Sequence, residues 1–360
     1  RRCTQLSHLN IGYNQISEIK PSDFENWATS LDTLLLMNNK IIYLSNYLFQ
    51  HTTNLRELSL SFNKIVDIEP HTFMDVARSL ESLEISFGLF GEEFPEDALR
   101  PLSSLLWLAL DNNNIRTVHR TSLYTFSNLQ YLNLDFNRIT NLPEGLFNHL
   151  IHTHLRNIRL GYNLLNKLGA ETFSSLHDLQ TIVLAGNNIR YIEPKTFKDL
   201  NNIMTILLTE NNLLKISPQA FFNLPNLARL DLQLNEMKYF TFDAFVNTSI
   251  IHAMILNISH NTISELYCNY NKPFMKIKVL DLTSNDIREI PSKILQLLSG
   301  YLRKLYLGFN NIDALIPNSF INLTFLNVLN LDHNKVGIIR KKTFFGLSQL
   351  QILDLSFNSL

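Results

Sequence analysis

The chain has 360 residues, 45% hydrophobic and 18% charged, which is enough apolar material for a large core and excludes a disordered composition. The formal net charge is −1 with no run of five like charges, which excludes the basic footprint of a nucleic-acid binder and a polybasic membrane patch. Two cysteines, Cys3 and Cys268, are too few and too far apart for a disulfide framework or a zinc spacing, and their pairing stays open.

In chain order one pattern recurs, L-x-x-L-x-L-x-x-N-x-L. It is clear at Leu55, Leu58, Leu60, Asn63 and Ile65, then at Leu129, Leu132, Leu134, Asn137 and Ile139, and finally at Leu350, Leu353, Leu355, Asn358 and Leu360. The anchor falls at Asn14, Asn39, Asn63, Gly88, Asn113, Asn137, Asn163, Asn187, Asn211, Asn235, Asn261, Asn285, Asn310, Asn334 and Asn358. These are about fifteen copies of a 24- to 26-residue unit, the period and motif of the leucine-rich repeat. The array overrides the usual length prior of two or three domains, so residues 1–360 read as a single repeat array. The chain starts at Arg1 and stops inside a repeat at Leu360, so it reads as a fragment whose targeting signals and anchor lie outside it.

The spacing has a physical reason. The x-L-x-L-x segment alternates with period two, so it forms a short strand with its leucines on one face. A return path of this length suits a parallel crossover and not a hairpin. A second apolar set, F-x-x-L-x-x-L, closes each coil on the outer side: Phe173, Leu176 and Leu179; Phe197, Leu200 and Ile203; Phe320, Leu323 and Leu326. The predicted fold is therefore α/β, a leucine-rich-repeat solenoid (horseshoe). A parallel sheet lines its concave face, and short helices or loops form the convex face. Each anchor Asn sits where the chain leaves the strand, and its amide can bond backbone groups on both sides. Gly88 breaks this ladder and reads as a local turn variant.

Irregular coils are expected at Phe87 to Pro101, at His149 to Leu155 and at Asn247 to Tyr270, where the strand pattern weakens to Ala253, Leu256 and Ile258. Cys268 lies in the last of these and reads as a buried thiol.

No G-x-S-x-G, H-E-x-x-H or phosphate loop occurs, so no enzymatic activity, cofactor or metal is expected. His149, His152 and His154 lie at irregular spacing in a crossover and read as packing or solvated histidines. Three N-x-S/T sequons, at Asn247, Asn257 and Asn322, are candidate glycosylation sites, although so Asn-rich a chain would hold several by chance. Asn322 is expected on the outer coil and Asn257 on the inner face.

The inner face is the informative surface. Six positions before the anchor come Glu57, Ser82, Trp107, Tyr131 and Asn157 in successive coils, so Trp107 and Tyr131 are predicted neighbours. Two positions before it come Asp111 and Asp135, and the next coil adds Arg156 and Arg159. Trp107, Tyr131, Asp111, Asp135 and Arg159 form a candidate protein-binding patch, because aromatic and arginine side chains dominate interface energetics. The bland alternative is that the two aromatics only cap the sheet edge. A second aromatic row precedes the anchors (Tyr13, Phe62, Phe87, Phe136, Tyr162, Phe309 and Phe357) and is expected to pack over the strand ends.

The repeat length with the F-x-x-L outer set resembles the class found in extracellular receptors and adhesion proteins. Within it, Leu83-Glu84-Ile85-Ser86-Phe87-Gly88, Phe94-Pro95-Glu96-Asp97 and Trp107-Leu108-Ala109-Leu110-Asp111-Asn112-Asn113-Asn114 resemble insect chaoptin-like adhesion proteins. That resemblance implies a glycoprotein on the extracellular face of a photoreceptor plasma membrane, lipid-anchored and acting in homophilic cell adhesion. The partner would be a protein, such as another copy on an apposed membrane, with no nucleic acid and no small-molecule substrate. The alternative is the ectodomain of a Toll-like signalling receptor.

Overall fold

A computed structural model describes residues 3–269 and 275–360; Tyr270, the expected end of the third irregular coil, lies outside them. The chain forms two compact units, Arg1–Leu165 with Leu176–Leu179, and Asn166–Ser175 with Gln180–Leu360. Each is a parallel-strand solenoid.

In the first unit the strands His8–Asn10, Thr33–Leu35, Glu57–Ser59, Ser82–Glu84, Trp107–Ala109, Tyr131–Asn133 and Asn157–Arg159 pair in that order, all parallel. In the second unit the series runs through Thr181–Val183, Thr205–Leu207, Arg229–Asp231, Met254–Asn257, Ile277–Asp281, Lys304–Tyr306, Val328–Asn330 and Ile352–Asp354. The register keeps like positions abreast, as with Leu58 beside Leu83 and Leu108 beside Leu132.

The leucines alternate into the core as period two requires: Leu129, Leu132 and Leu134 have no exposed surface. Leu134→Ala is expected to lower stability by about 3 kcal/mol, as a large-to-small change at a closed site. Asn133, next to it on the solvent side, donates to Asp111 Oδ1 at 3.0 Å and accepts from the Asp135 N–H at 3.0 Å. Its alanine variant is therefore not silent, and a loss of about 1 kcal/mol is expected. Equal losses in denaturant titration would reverse the assignment of strand faces.

The anchors form the expected ladder. Asn137 donates to the carbonyls of Leu134 and, one coil back, Leu110, and accepts from Ile115 N–H. At Gly88 the backbone takes over. Its carbonyl accepts from Ile65 N–H at 2.8 Å, and Asn113 Oδ1 accepts from both Gly88 and Leu89 N–H. A Cβ at Gly88 would lie 3.0 Å from Ile85 Cγ2, so the coil closes more tightly there. Gly88 is a turn variant, as its position in the ladder suggested.

The outer side carries the expected short helices and turns, with one addition. Helices Glu96–Leu99 and Ser292–Leu298 are present. In the second unit, however, Phe173–Ser174, Phe197–Lys198, Phe221–Leu224 and Phe245–Thr248 make a second parallel sheet. Their phenylalanines stack at 5.3–5.5 Å, close to the strand spacing, so ring stacking and an extended backbone favour the same geometry. The coil after Asn247 carries a register shift between Met254 and Ile255: Met254 is buried and Ala253 only partly so. That shift explains the weakened pattern.

The residue just before each of the fifteen anchors has a positive φ, from 49° at His333 to 67° at Gly186. The aromatics of this row therefore do not cover the strand ends. They project outward, exposed, and stack on one another: Phe62 on Phe87 at 4.7 Å and Phe136 on Tyr162 at 4.4 Å. In the second unit His333 joins the row between Phe309 and Phe357.

Candidate functional site

The solvent-facing side of the first unit's sheet brings the predicted patch together. Trp107 pairs in register with Tyr131, and their rings stack with centroids 3.5 Å apart at 7°. A separation shorter than the ~4.8 Å strand spacing means that the ring normals run from strand to strand. Trp107 is 39% exposed and Tyr131 half-buried.

Asp111 and Asp135 lie two residues beyond their strands. Asp111 accepts from Ser86 Oγ at 2.7 Å and Asn133 Nδ2 at 3.0 Å on one oxygen, and from Asn112 Nδ2 at 2.7 Å on the other. Asp135 is only 3% exposed; it accepts from Arg159 Nε at 2.7 Å and from Gly161 N–H at 2.6 Å. Asp135 and Arg159 thus occupy each other, and they anchor the patch more than they face a partner. Arg156 is exposed.

Burial lifts the Asp135 carboxyl above its ordinary value, against the pull of Arg159 and the Gly161 N–H. Burial also raises the Tyr131 hydroxyl; Arg159 opposes this, while Asp135, Asp111 and Glu84 reinforce it. Glu84 belongs to the same field. Its carboxyl is raised by burial first, then by the charges of Glu57 and Asp111. Glu84 was not singled out from sequence, although the row four positions before the anchor (Ser59, Glu84, Ala109, Asn133, Arg159) carries the signal.

Other candidates are placed individually. Asn247 is exposed, and its third sequon residue, Ser249, is buried and bonded to Leu227 carbonyl. Asn257 sits on the sheet face with both side-chain atoms bonded, to Gln233 and Ser259. Asn322 and Thr324 are both exposed on the outer coil. Cys3 is exposed, and Cys268 is half-buried, not buried as expected, because its coil is irregular. His152 is 1% exposed. Its Nδ1 accepts from Asn148 N–H and its Nε2 faces Leu123 carbonyl, and burial lowers its pKa, so it is a neutral packing histidine. Among the described residues no group of three His, Cys, Asp or Glu is placed to hold a metal, and no helix is long and apolar enough to cross a membrane.

Comparison with known proteins bears on the fold and the family. Podocan-like protein 1 of Mus musculus is 27% identical over 296 residues, 74% of this chain and 46% of that protein. Leucine-rich repeats and immunoglobulin-like domains protein 3 of Homo sapiens is 36% identical over 107 residues, 29% of this chain and 9% of that protein. The chain thus spans less than half the length of either relative. A leucine-rich-repeat protein of Leptospira interrogans shares the fold with a TM-score of 0.72 and 24% identity, covering 98% of this chain and 85% of that one. Toll of Drosophila, solved in complex with Spatzle, aligns with a TM-score of 0.66 and 21% identity over 99% of this chain and 45% of that one. The Leucine rich repeat family matches residues 29–90, 78–139, 103–152, 153–213, 201–263 and 300–360, with a further Leucine Rich Repeat match at 5–27. With that coverage and an Asn ladder that runs through each unit with one interruption, at Gly88, the chain belongs to the leucine-rich-repeat family.

Proposed function

We propose that the chain is an extracellular protein-binding scaffold acting in cell adhesion, and that it pairs with a second copy of itself across a cell–cell gap. The single observation that carries this reading is the Trp107–Tyr131 stack, left open to solvent on a sheet face. Folding gains little from leaving an indole in water, whereas a partner that covers it gains apolar burial with fixed geometry. The exposed sequon at Asn322 suits an extracellular setting. The chaoptin-like resemblance supplies the finer reading: a photoreceptor surface, a lipid anchor and homophilic pairing.

A second reading, the ectodomain of a Toll-like signalling receptor, draws on the fold shared with Toll. The two readings part in the full-length protein, where a receptor adds a spanning helix of ~20 apolar residues and a cytoplasmic domain.

Beads coated with the protein are expected to aggregate with one another. Trp107→Ala should weaken that association by about 2 kcal/mol or more. Its stability should fall by only about 1 kcal/mol, from the lost stack. Beads that stay dispersed while the coat is folded would refute homophilic adhesion. Aggregation unchanged in Trp107→Ala would remove the aromatic pair from the interface.

A further inference from the structure

The row that carries Trp107 has a gap in it. In successive strands the order is Glu57, Ser82, Trp107, Tyr131. Tyr131 covers one face of the indole, so the other face looks back over Ser82, whose side chain is too small to fill its place. Across Ser82 stands Glu57, two strand spacings or about 10 Å from the Trp107 strand. The floor of this slot is Ser82, and Glu84 lies on the Ser82 strand one pleat further along the same face.

The electrostatics of the slot are one-sided. Glu57, Glu84, Asp111 and Asp135 bring four carboxylates to one field, against the single guanidinium of Arg159, which Asp135 already holds. Asp32 and Glu81 flank it and share Arg56, at 3.7 Å from each. Among the described residues no cation lies within ion-pair distance of Glu57, Glu84 or Asp111. An open aromatic face beside uncompensated carboxylates attracts a cation by its quadrupole and by their charge together. A planar guanidinium stacked on the indole, within the ~6 Å reach of such a contact, would lie between the ring and Glu57.

We propose that this slot binds a basic side chain, arginine or lysine, presented by the protein partner on the face assigned above. The proposal rests on the reading of that face as a partner-binding surface and adds the chemistry of what enters it. The half-buried Glu84 is held protonation-prone by its surroundings, and an incoming cation relieves that field. For an acid with a raised folded pKa, the associated stability is complete below the unfolded pKa and is lost as pH rises through the folded one. Glu84→Gln should therefore raise the melting temperature at neutral pH while it weakens binding.

The test uses the intact chain and two blocked pentapeptides, Gly-Arg-Gly-Arg-Gly and the same sequence with citrulline for arginine, titrated at low salt with Trp emission as the readout. Trp27, far along the chain, stays as the internal reference in Trp107→Phe. The arginine peptide is expected to give a saturable change that Trp107→Phe abolishes. The citrulline peptide, similar in shape but neutral, should bind about tenfold more weakly or worse. Ser82→Leu, which fills the slot, should abolish binding without loss of the fold by circular dichroism. Glu84→Gln should weaken it several-fold, and wild-type binding should decline as pH falls through the raised Glu84 pKa. Equal binding of both peptides would overturn the cation while the interface reading stands. No response to either peptide, with Ser82→Leu beads aggregating like wild type, would remove the slot. If those beads also ignore Trp107→Ala, the partner-binding face itself fails.

Discussion

Replacing Asn137 with alanine is expected to destabilise the first unit by about 2–6 kcal/mol. The side chain is buried, and its amide nitrogen donates to Leu110 carbonyl at 2.9 Å and Leu134 carbonyl at 3.1 Å. Its oxygen accepts from Ile115 N–H at 3.0 Å. Alanine leaves the Ile115 N–H inside without a partner, at about 1–3 kcal/mol, and takes one of two bonds, about 0.5–1.5 kcal/mol each, from the Leu110 and Leu134 carbonyls, which Asn113 Nδ2 and Asn163 Nδ2 still cap. Because Leu110 and Ile115 belong to the preceding coil, the damage crosses a repeat boundary. Chemical denaturation reads the total, and hydrogen exchange at Ile115 N–H reads the local opening. A loss below about 1 kcal/mol would mean that water or a backbone shift replaces the amide, and the ladder would then be ornamental.

Phe197→Ala is expected to cost about 3–5 kcal/mol in the second unit. The ring has no exposed surface and lies between Phe173 at 5.5 Å and Phe221 at 5.3 Å, nearly parallel to both. Removing it opens a cavity and breaks two ring contacts at once. Backbone pairing with the strands on either side limits how far the outer wall can collapse into the space. Phe197→Leu, which refills most of the volume, should recover more than half of the loss. If it recovers none, ring stacking and not volume holds this wall together.

The strand faces and the ladder were legible because both depend on a spacing that the sequence states outright. The contact of Trp107 with Tyr131 followed from the same arithmetic, since parallel register turns equal repeat positions into neighbours. What was not legible depends on side-chain detail within one coil. Asn133 looks like any outward polar residue until Asp111 and the Asp135 N–H are placed beside it. The pairing of Asp135 with Arg159 needed the rotamers, and so did the openness of Trp107 on the Ser82 side. The second sheet could not be inferred from F-x-x-L, because that pattern serves a turn or a strand equally well. The shift at Met254 shows only as a faded motif, which marks a fault without giving its geometry.

The left-handed turn before each anchor also acts as a filter on which mutations the array can accept. A side chain branched at Cβ is a steric outlier at φ near +55°, because both branches crowd the backbone. The fifteen residues at that position are Tyr, Asn, Phe, Phe, Asn, Phe, Tyr, Gly, Glu, Leu, His, Ser, Phe, His and Phe, from Tyr13 to Phe357; none is Val, Ile or Thr. These three are common residues in the strands only a few positions earlier, such as Thr33, Thr181, Ile255 and Val279. A drifting repeat can therefore trade aromatic for acidic or amide at this site, but a single base change that turns Phe87 into Val or Ile is expected to be purged. The same geometry aims whatever survives at the solvent, which gives each coil one position where chemistry can change without disturbing the core.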